Sequence, residues 1–188
     1  IYKVSSSELI EDGILVKPRI VFIPSGDYRG AMAKHEFEES RNWQEVYSNG
    51  IVHNPNRNQM IMEIVEKLLT DWGRTNVLVL IREIEHGKTL QEKFEKELMI
   101  SVPFIHGSTK KDEIAYHLNQ FKRGKLPILI ASTILDEGID LPNISSIVLA
   151  CGGESTIRSI QRIGRGIRKS EGKEDVVVID FIDNYHYI

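Results

Sequence analysis

The sequence lacks the features that define several classes of protein. Its 188 residues include one cysteine, Cys151, so no disulfide can form within the chain, as is usual in a reducing cytosol. Cys151 ends an apolar run, which favours a buried, unreactive thiol over a nucleophile. The chain has neither a signal peptide nor an apolar run of membrane-spanning length. We therefore expect a cytoplasmic protein with no membrane partner.

A strong excess of charge of either sign is also lacking. The formal net charge is −3 and charged residues make up 27% of the chain, so overall electrostatics do not indicate a nucleic-acid-binding protein. Any such interpretation has to depend on a local patch. One such patch spans residues 158–173, where six basic side chains are accompanied by a single acid, Glu171. The six are Arg158, Arg162, Arg165, Arg168, Lys169 and Lys173.

An arginine series with helical spacing forms the centre of that patch. Arg162, Arg165 and Arg168 are three residues apart and directly follow Gln161, so on a helix their guanidinium groups lie along one face. No carboxylate occurs between residues 157 and 169. Planar cations without acidic partners are suited to clamping a polyphosphate; the alternative is a solvated basic surface.

Short apolar segments alternate with helical patterns along the chain. We predict strands at 20–23, 77–81, 102–105, 126–131, 146–150 and 176–181. We predict helices at 5–12, 34–47 and 87–98, and one that starts at the 54–58 turn. A further helix runs from a capping box at 109–112 to Gly124, and the helix with the arginine series precedes the last strand. The pattern predicts an α/β fold, a parallel sheet with helices on both faces. The loops after Ile81, Ile105, Ser132 and Ala150 then share the edge where such sheets bind ligands.

The helix that starts at the 54–58 turn has a distinct apolar face. It comprises Met60, Ile61, Ile64, Val65, Leu68, Leu69 and Trp72. We expect this face to pack against the sheet.

The Gly87-Lys88-Thr89 segment is similar to the end of a phosphate-binding P-loop but fails the full pattern. Arg82 occupies the position at which that loop needs its first glycine, so we exclude a P-loop here. We expect Gly87 to start a helix, either as a plain helix start or with its free N–H groups and Lys88 directed at a nucleic-acid phosphate. His106-Gly107 is expected to form a tight turn with a backbone–phosphate contact, since no other His or Cys lies at metal-ligand spacing.

A second set of polar residues follows the predicted strand at 126–131. Ser132 and Thr133 have small hydroxyl side chains that reach phosphate oxygens. Gly138 permits close backbone approach, and Asp140 can accept hydrogen bonds from a ribose diol. The acids at 136 and 137 have no companion ligands in this loop, so we do not predict a metal site.

Taken together, these motifs resemble those of superfamily 2 helicases. Motifs IV, IVa, V and VI are resembled, in order, by residues 77–86, His106-Gly107, 132–140 and 161–168. The resemblance covers about residues 47–183 and implies the second RecA-like lobe of such a motor. Residues 1–49 would then be a linker or extension from the first lobe, and 50–188 the helicase C-terminal domain. Segments 57–58, 85–88 and 180–183 are most similar to phage and bacterial DNA-repair helicases of the UvsW/RadD kind.

The resemblance also implies roles for single residues. Arg165 and Arg168 would be arginine fingers for ATP bound between two lobes, and Gln161 would sense the γ-phosphate. Arg162 would brace this motif at the nucleotide, while Gly138 and Asp140 would contact the ribose. The residues implied to line the nucleic-acid backbone are Arg82, Lys88, Gly107, Ser132 and Thr133.

Two absences limit what the chain does alone. It contains no Walker A loop and no Asp-Glu-x-His or Asp-Glu-Ala-Asp box, so the ATP-binding lysine and the Mg²⁺ ligands are expected in a first lobe. Because the chain opens without methionine and closes without a tail, we interpret it as a fragment. Since the first lobe is missing, we expect the fragment to be nearly inactive as an ATPase.

Three functional hypotheses follow from the resemblance. Gln161 stands where DEAD-box RNA helicases have histidine, and Gly166-Ile167 departs from their Arg-x-Gly-Arg ending. Both departures favour an ATP-dependent DNA helicase or translocase over an RNA helicase. A non-catalytic nucleic-acid- or protein-binding module is the third possibility.

Overall fold

The computed structural model describes residues 16, 18–25, 42–132, 143–152 and 175–183. Its strands are β1 (Pro18–Pro24), β2 (Val77–Ile81), β3 (Phe104–Ile105), β4 (Ile128–Ser132), β5 (Ser146–Leu149) and β6 (Val176–Ile182). Its helices are α1 (Trp43–Tyr47), which continues into a π-helical turn (Ser48–Val52), α2 (Pro55–Thr70), α3 (Ile84–Leu98) and α4 (Lys111–Lys122). All six predicted strands are confirmed, each within two residues of its predicted bounds. The helices predicted at 5–12 and over the arginine series lie outside the described residues, as does 34–41 of the helix predicted at 34–47.

The six strands form one parallel sheet. Their order is β1-β6-β5-β2-β4-β3, with every neighbouring pair parallel. The strands β2, β4 and β5 are buried at every position, as expected for a parallel sheet that is covered on both faces. The predicted α/β fold is confirmed.

Alternate residues of β2 show how the two faces are filled. Val77, Val79 and Ile81 belong to a core that includes apolar side chains of α2 and α3. Leu78 and Leu80 belong to a second core, together with side chains of α4. Helices therefore pack against both faces, as predicted. Within the described ranges, none of these helices has the length and apolar character needed to cross a bilayer.

The start of α2 follows from its sequence. Asn54 Oδ1 accepts a hydrogen bond from the Arg57 N–H at 3.1 Å, and Pro55 occupies the first turn, a standard N-terminal signal. The predicted capping turn is therefore confirmed. The inclusion of Trp72 in the apolar face is wrong, because it lies beyond the end of the helix and is 46% exposed.

The start of α4 differs from the prediction. Its N-cap residue, Lys110, makes no side-chain capping bond, so the predicted capping box is absent. Thr109 Oγ1 instead accepts the N–H of His106 at 3.0 Å and stabilises the turn after β3. Gly124 has φ +69° and directly follows the C-cap residue Arg123, which confirms it as the glycine that ends α4.

Two described elements lie upstream of the expected domain division at residue 50. β1 pairs with β6 along its whole length, from Pro18 opposite Val176 to Pro24 opposite Ile182. α1 contacts the sheet through the Tyr47 hydroxyl, which donates to the Cys151 carbonyl after β5. Both elements are integral to the packing of the sheet.

Candidate functional site

The carboxyl ends of neighbouring strands bring several predicted site residues to one edge of the sheet. Ile81 at the end of β2 is in register with Ser132 at the end of β4, so Arg82 begins its loop beside Ser132. Gly107 lies in the turn that follows Ile105, the last residue of β3, which neighbours β4. The predicted shared edge is confirmed for these strands.

The other predicted site residues lie outside the described residues. They are Thr133, Gly138, Asp140, Gln161, Arg162, Arg165 and Arg168. Their segments follow described strand ends, since residues 133–142 come after Ser132 and residues 153–174 come after Gly152, shortly beyond β5. Both segments therefore leave the sheet from the edge at which Arg82 lies.

Arg82 is exposed and lies against two aromatic rings of α1. Its guanidinium carbon is 4.5 Å from the ring centroid of Trp43 and 5.4 Å from that of Tyr47. The two rings stack on each other with centroids 5.2 Å apart. Cation–π contacts of this kind orient a guanidinium whose N–H groups point outward in its own plane. The arrangement suits contact with a phosphate backbone.

Ser132 is buried at the end of β4. Its Oγ atom has no hydrogen-bond partner among the described residues. Most buried hydroxyls are paired, and an unpaired one costs about 1–3 kcal/mol. As far as the described residues go, Ser132 therefore keeps the donor and acceptor capacity that a phosphate-binding side chain needs.

Within the Gly87-Lys88 pair, only Lys88 faces solvent. α3 begins at Ile84 rather than at Gly87, and the Gly87 N–H donates to the Glu83 carbonyl at 3.2 Å. The expectation of free N–H groups at Gly87 is therefore wrong. Gly87 is buried, and a Cβ there would lie 2.3 Å from Cζ of Phe104. The close approach of α3 to β3 explains the glycine, whereas Lys88 is exposed.

We expect Gly87→Ala to lower the free energy of unfolding by about 1–3 kcal/mol, because the added methyl overlaps the Phe104 ring. Urea unfolding measures the change. In a Phe104→Ala background the same substitution should stabilise the protein by up to about 1 kcal/mol, since alanine is the better helix former. An equal loss in both backgrounds would contradict the packing explanation.

The turn after β3 has the predicted form. The N–H of Thr109 donates to the His106 carbonyl at 2.9 Å, and the N–H of Ser108 donates to Nδ1 of the His106 ring at 3.3 Å. Gly107 is exposed at its tip. Across the described part of the chain, no group of His, Cys, Asp or Glu side chains is arranged to hold a metal ion.

The sequence prediction missed a buried ion pair beneath the same edge. Nε and Nη2 of Arg57 donate to the two carboxylate oxygens of Asp183 at 2.8 and 2.9 Å. Nη1 of Arg57 donates to the Ala150 carbonyl at 2.8 Å, and the guanidinium lies 5.0 Å from the ring centroid of Phe181. The Arg57 side chain is fully buried and that of Asp183 is 2% exposed. One signal was available, because Arg57 precedes Ile61 by one helical turn on the apolar face of α2.

Next to this pair lies a buried histidine. Nε2 of His86 is 2.9 Å from Oδ1 of Asn58, whose Nδ2 donates to the Val52 carbonyl. The amide oxygen of Asn58 therefore accepts, which makes Nε2 the protonated nitrogen of a neutral ring. Burial, then the charge of Arg57, then His53, lower the pKa of His86 to about 3.

This low pKa predicts a loss of stability in acid. Between pH 6.5 and about 3 the unfolded chain binds a proton at His86 that the folded chain does not, so stability falls as pH falls, by up to about 1.4 kcal/mol per pH unit. His86→Gln keeps a donor for Asn58 but has no such titration. Urea unfolding from pH 8 to pH 4.5 should show the wild type losing more stability than the variant below pH 6.5. Above pH 7.5 the difference in free energy of unfolding between the two proteins should stay constant. Parallel curves throughout would contradict the assignment.

Comparison with known proteins agrees with this fold. The sequence matches the helicase conserved C-terminal domain over residues 57–170, more than half of the chain. It is 29% identical to a protein of Sulfolobus islandicus filamentous virus that carries the provisional name helicase 22, over 98% of this chain and 33% of the viral protein. It is 28% identical to the DNA 3′-5′ translocase XPB2 of Sulfurisphaera tokodaii, over 64% of this chain and 26% of that protein.

A solved structure shows the same architecture. The crystal structure of T4 UvsW matches with a TM-score of 0.66 and 25% identity, over 89% of this chain and 32% of UvsW. The chain thus spans about a third or less of the length of these relatives. The helicase match and the six-stranded parallel sheet identify the same unit. The chain belongs to the helicase conserved C-terminal domain family and has the fold of the second RecA-like lobe of superfamily 2 helicases.

Proposed function

We propose that this lobe is part of an ATP-dependent DNA helicase or translocase. One observation carries the proposal: the family match over residues 57–170 includes all of residues 133–142, which follow β4, and residues 153–170 of the segment that follows β5. Those segments contain the residues with the proposed nucleotide roles, and the edge itself holds Arg82, Ser132 and Gly107. Since the chain spans only about a third of its relatives, the activity belongs to a protein in which a first lobe is also present.

In the proposed mechanism this lobe completes an ATP site that the first lobe begins. Mg²⁺ and the triphosphate would be held by the first lobe. Arg165 and Arg168 then approach the γ-phosphate as the lobes close, and stabilise the charge that develops during transfer to water. Gln161 senses the γ-phosphate and Arg162 braces the motif. Gly138 and Asp140 contact the ribose.

The nucleic-acid backbone is proposed to run along the carboxyl edge of β2, β4 and β3. Arg82 and Lys88 supply positive charge, and Ser132, Thr133 and the Gly107 backbone supply hydrogen bonds to phosphate. Such contacts carry no base information, so binding should be independent of sequence and weaken with salt. Closing and opening of the lobes around ATP would then move the backbone stepwise.

DNA is the proposed track for two reasons. Gln161 and the Gly166-Ile167 ending depart from the DEAD-box RNA helicase pattern. In addition, XPB2 is named as a DNA translocase, and its relationship to this lobe supports the same substrate class here.

Steady-state ATP hydrolysis by the two-lobed protein tests the proposal. We expect single-stranded DNA to stimulate hydrolysis more than RNA of equal length. Raising the salt concentration from 50 to 200 mM should weaken the affinity for DNA and thereby the stimulation. The affinity should fall by orders of magnitude if many phosphates are contacted. Stronger stimulation by RNA would indicate an RNA helicase. No hydrolysis with either nucleic acid, even after a separately expressed first lobe is added to this chain, would indicate a binding module.

A further inference from the structure

The three residues that follow β5 are held by side chains from distant parts of the sequence. The Ala150 carbonyl accepts from Nη1 of Arg57 at 2.8 Å, and the Cys151 carbonyl accepts from the Tyr47 hydroxyl at 2.5 Å. Gly152 has φ +61°, and a Cβ there would lie 2.9 Å from Cδ1 of Ile51. The chain therefore leaves β5 along a path on which each residue has a specific constraint. We call Tyr47, Arg57 and Asp183 the exit clamp.

The members of the exit clamp are themselves fixed. Asp183 binds Arg57 through both carboxylate oxygens, and the same carboxylate lies 3.1 Å from the Cβ position of Gly152. Tyr47 is buried, and burial raises the pKa of its hydroxyl, which stays a proton donor at neutral pH. Hydrogen bonds from a buried guanidinium or a buried phenol hold their partners at a defined distance and angle. The clamp therefore restricts both position and direction of the main chain at Gly152.

The segment that begins directly after Gly152 contains Gln161, Arg165 and Arg168. An ion pair at the opposite edge of the sheet is less buried than that of Arg57 and Asp183. There Arg74 binds Asp175 at 2.6 and 3.1 Å, and both side chains are partly exposed. The buried donors Tyr47 and Arg57 therefore lie at the edge from which the segment with the proposed arginine fingers begins.

We propose that the exit clamp is a positioning device for the arginine fingers, in which Tyr47 and Arg57 determine where residues 153–174 begin. The inference rests on the proposed function for its catalytic consequence. Tyr47 and Arg57 act through the main chain and touch neither ATP nor nucleic acid. Misplacement of a reacting group by about 1 Å can cost on the order of 10²-fold in rate, so loss of one hydrogen bond of the clamp should be visible in turnover.

The test variant is Tyr47→Phe, which removes the hydroxyl and keeps the ring that lies against Arg82. The control is Asn143→Ala, which also removes one side-chain hydrogen bond to a main-chain carbonyl, the exposed bond to Lys122 at 2.8 Å, at the edge where the strands begin. In the two-lobed protein we expect Tyr47→Phe to lower kcat by on the order of tenfold with KM for ATP and the half-saturating DNA concentration unchanged. Asn143→Ala should leave kcat within about twofold of wild type.

Hydrogen exchange provides a readout that does not depend on catalysis. In this chain, Tyr47→Phe should speed amide exchange in peptides that cover residues 153–160, and Asn143→Ala should not. A Tyr47→Phe protein that matches the control in both kcat and exchange would overturn the inference.

A parallel Arg165→Ala protein separates the two proposals. If Arg165→Ala retains the wild-type rate, the proposed function fails, and exchange alone decides whether the clamp positions the segment. If Arg165→Ala abolishes hydrolysis while Tyr47→Phe behaves like the control, the clamp inference fails and the proposed function stands.

Discussion

Arg165→Ala in the two-lobed protein is expected to lower DNA-stimulated ATP hydrolysis by roughly 10³-fold or more, while ATP and DNA still bind. The expectation follows from the proposed finger role, in which the guanidinium meets charge that develops only in the transition state. An interaction of that kind contributes to kcat and little to ground-state affinity. Steady-state hydrolysis, together with binding of a labelled nucleotide, measures both quantities.

Two further variants make this test specific. Arg165→Lys keeps the charge but loses the planar fork, so it should recover little of the activity. Lys173→Ala removes a positive charge from the same basic patch outside the three-residue spacing, and should retain most of it. Equal losses in Arg165→Ala and Lys173→Ala would show that general positive charge matters and that Arg165 is not a finger.

Arg57→Ala is expected to lower the free energy of unfolding by about 3–5 kcal/mol. The substitution leaves the Asp183 carboxylate buried without its guanidinium partner and removes the donor to the Ala150 carbonyl. The control is Arg74→Ala, which breaks an ion pair of similar geometry whose side chains are 21% and 33% exposed. Exposed pairs contribute about 0–1 kcal/mol. Urea unfolding at pH 7 compares the two variants.

A double variant distinguishes the buried charge from the loss of packing. Arg57→Met with Asp183→Leu removes both charges and should recover much of the stability lost in Arg57→Ala. If Arg57→Ala does not fold, Arg57→Lys provides the measurement, with a smaller loss in the same direction. Equal stability losses in Arg57→Ala and Arg74→Ala would contradict the importance assigned to burial.

Much of the sheet could be predicted from the sequence because its signals are local. Residues 77–81 form an unbroken apolar run, which is what a strand covered on both faces requires. Asn54-Pro55 is a sufficient local signal for the start of α2. The rule that ligand loops follow the carboxyl ends of parallel strands placed Arg82, Gly107 and Ser132 at one edge. The nucleotide roles of residues 138–168 stay predictions.

The features that escaped prediction depend on contacts between distant residues. Gly87 looked like a helix start because of its Lys-Thr neighbours, but its burial is caused by Phe104, which arrives with the next strand. Arg57 and Asp183 are separated by 126 positions, and no local pattern indicates that they meet. Tyr47 donates to Cys151 across 104 positions, and no local pattern indicates this contact either.

The pairing of β1 with β6 has a consequence for how the lobe folds. Among the strands that the structure describes, Pro18–Pro24 is the first in the sequence, yet its partner at Val176–Ile182 is the last. During synthesis β1 therefore emerges from the ribosome long before the strand it needs, and the edge of the sheet closes only when the far end of the lobe is available. Contacts of such long sequence separation slow folding and prolong the exposure of unpaired strand edges. Until β6 has been made, β1 therefore has no partner strand, which lengthens the time during which the unfinished sheet can aggregate.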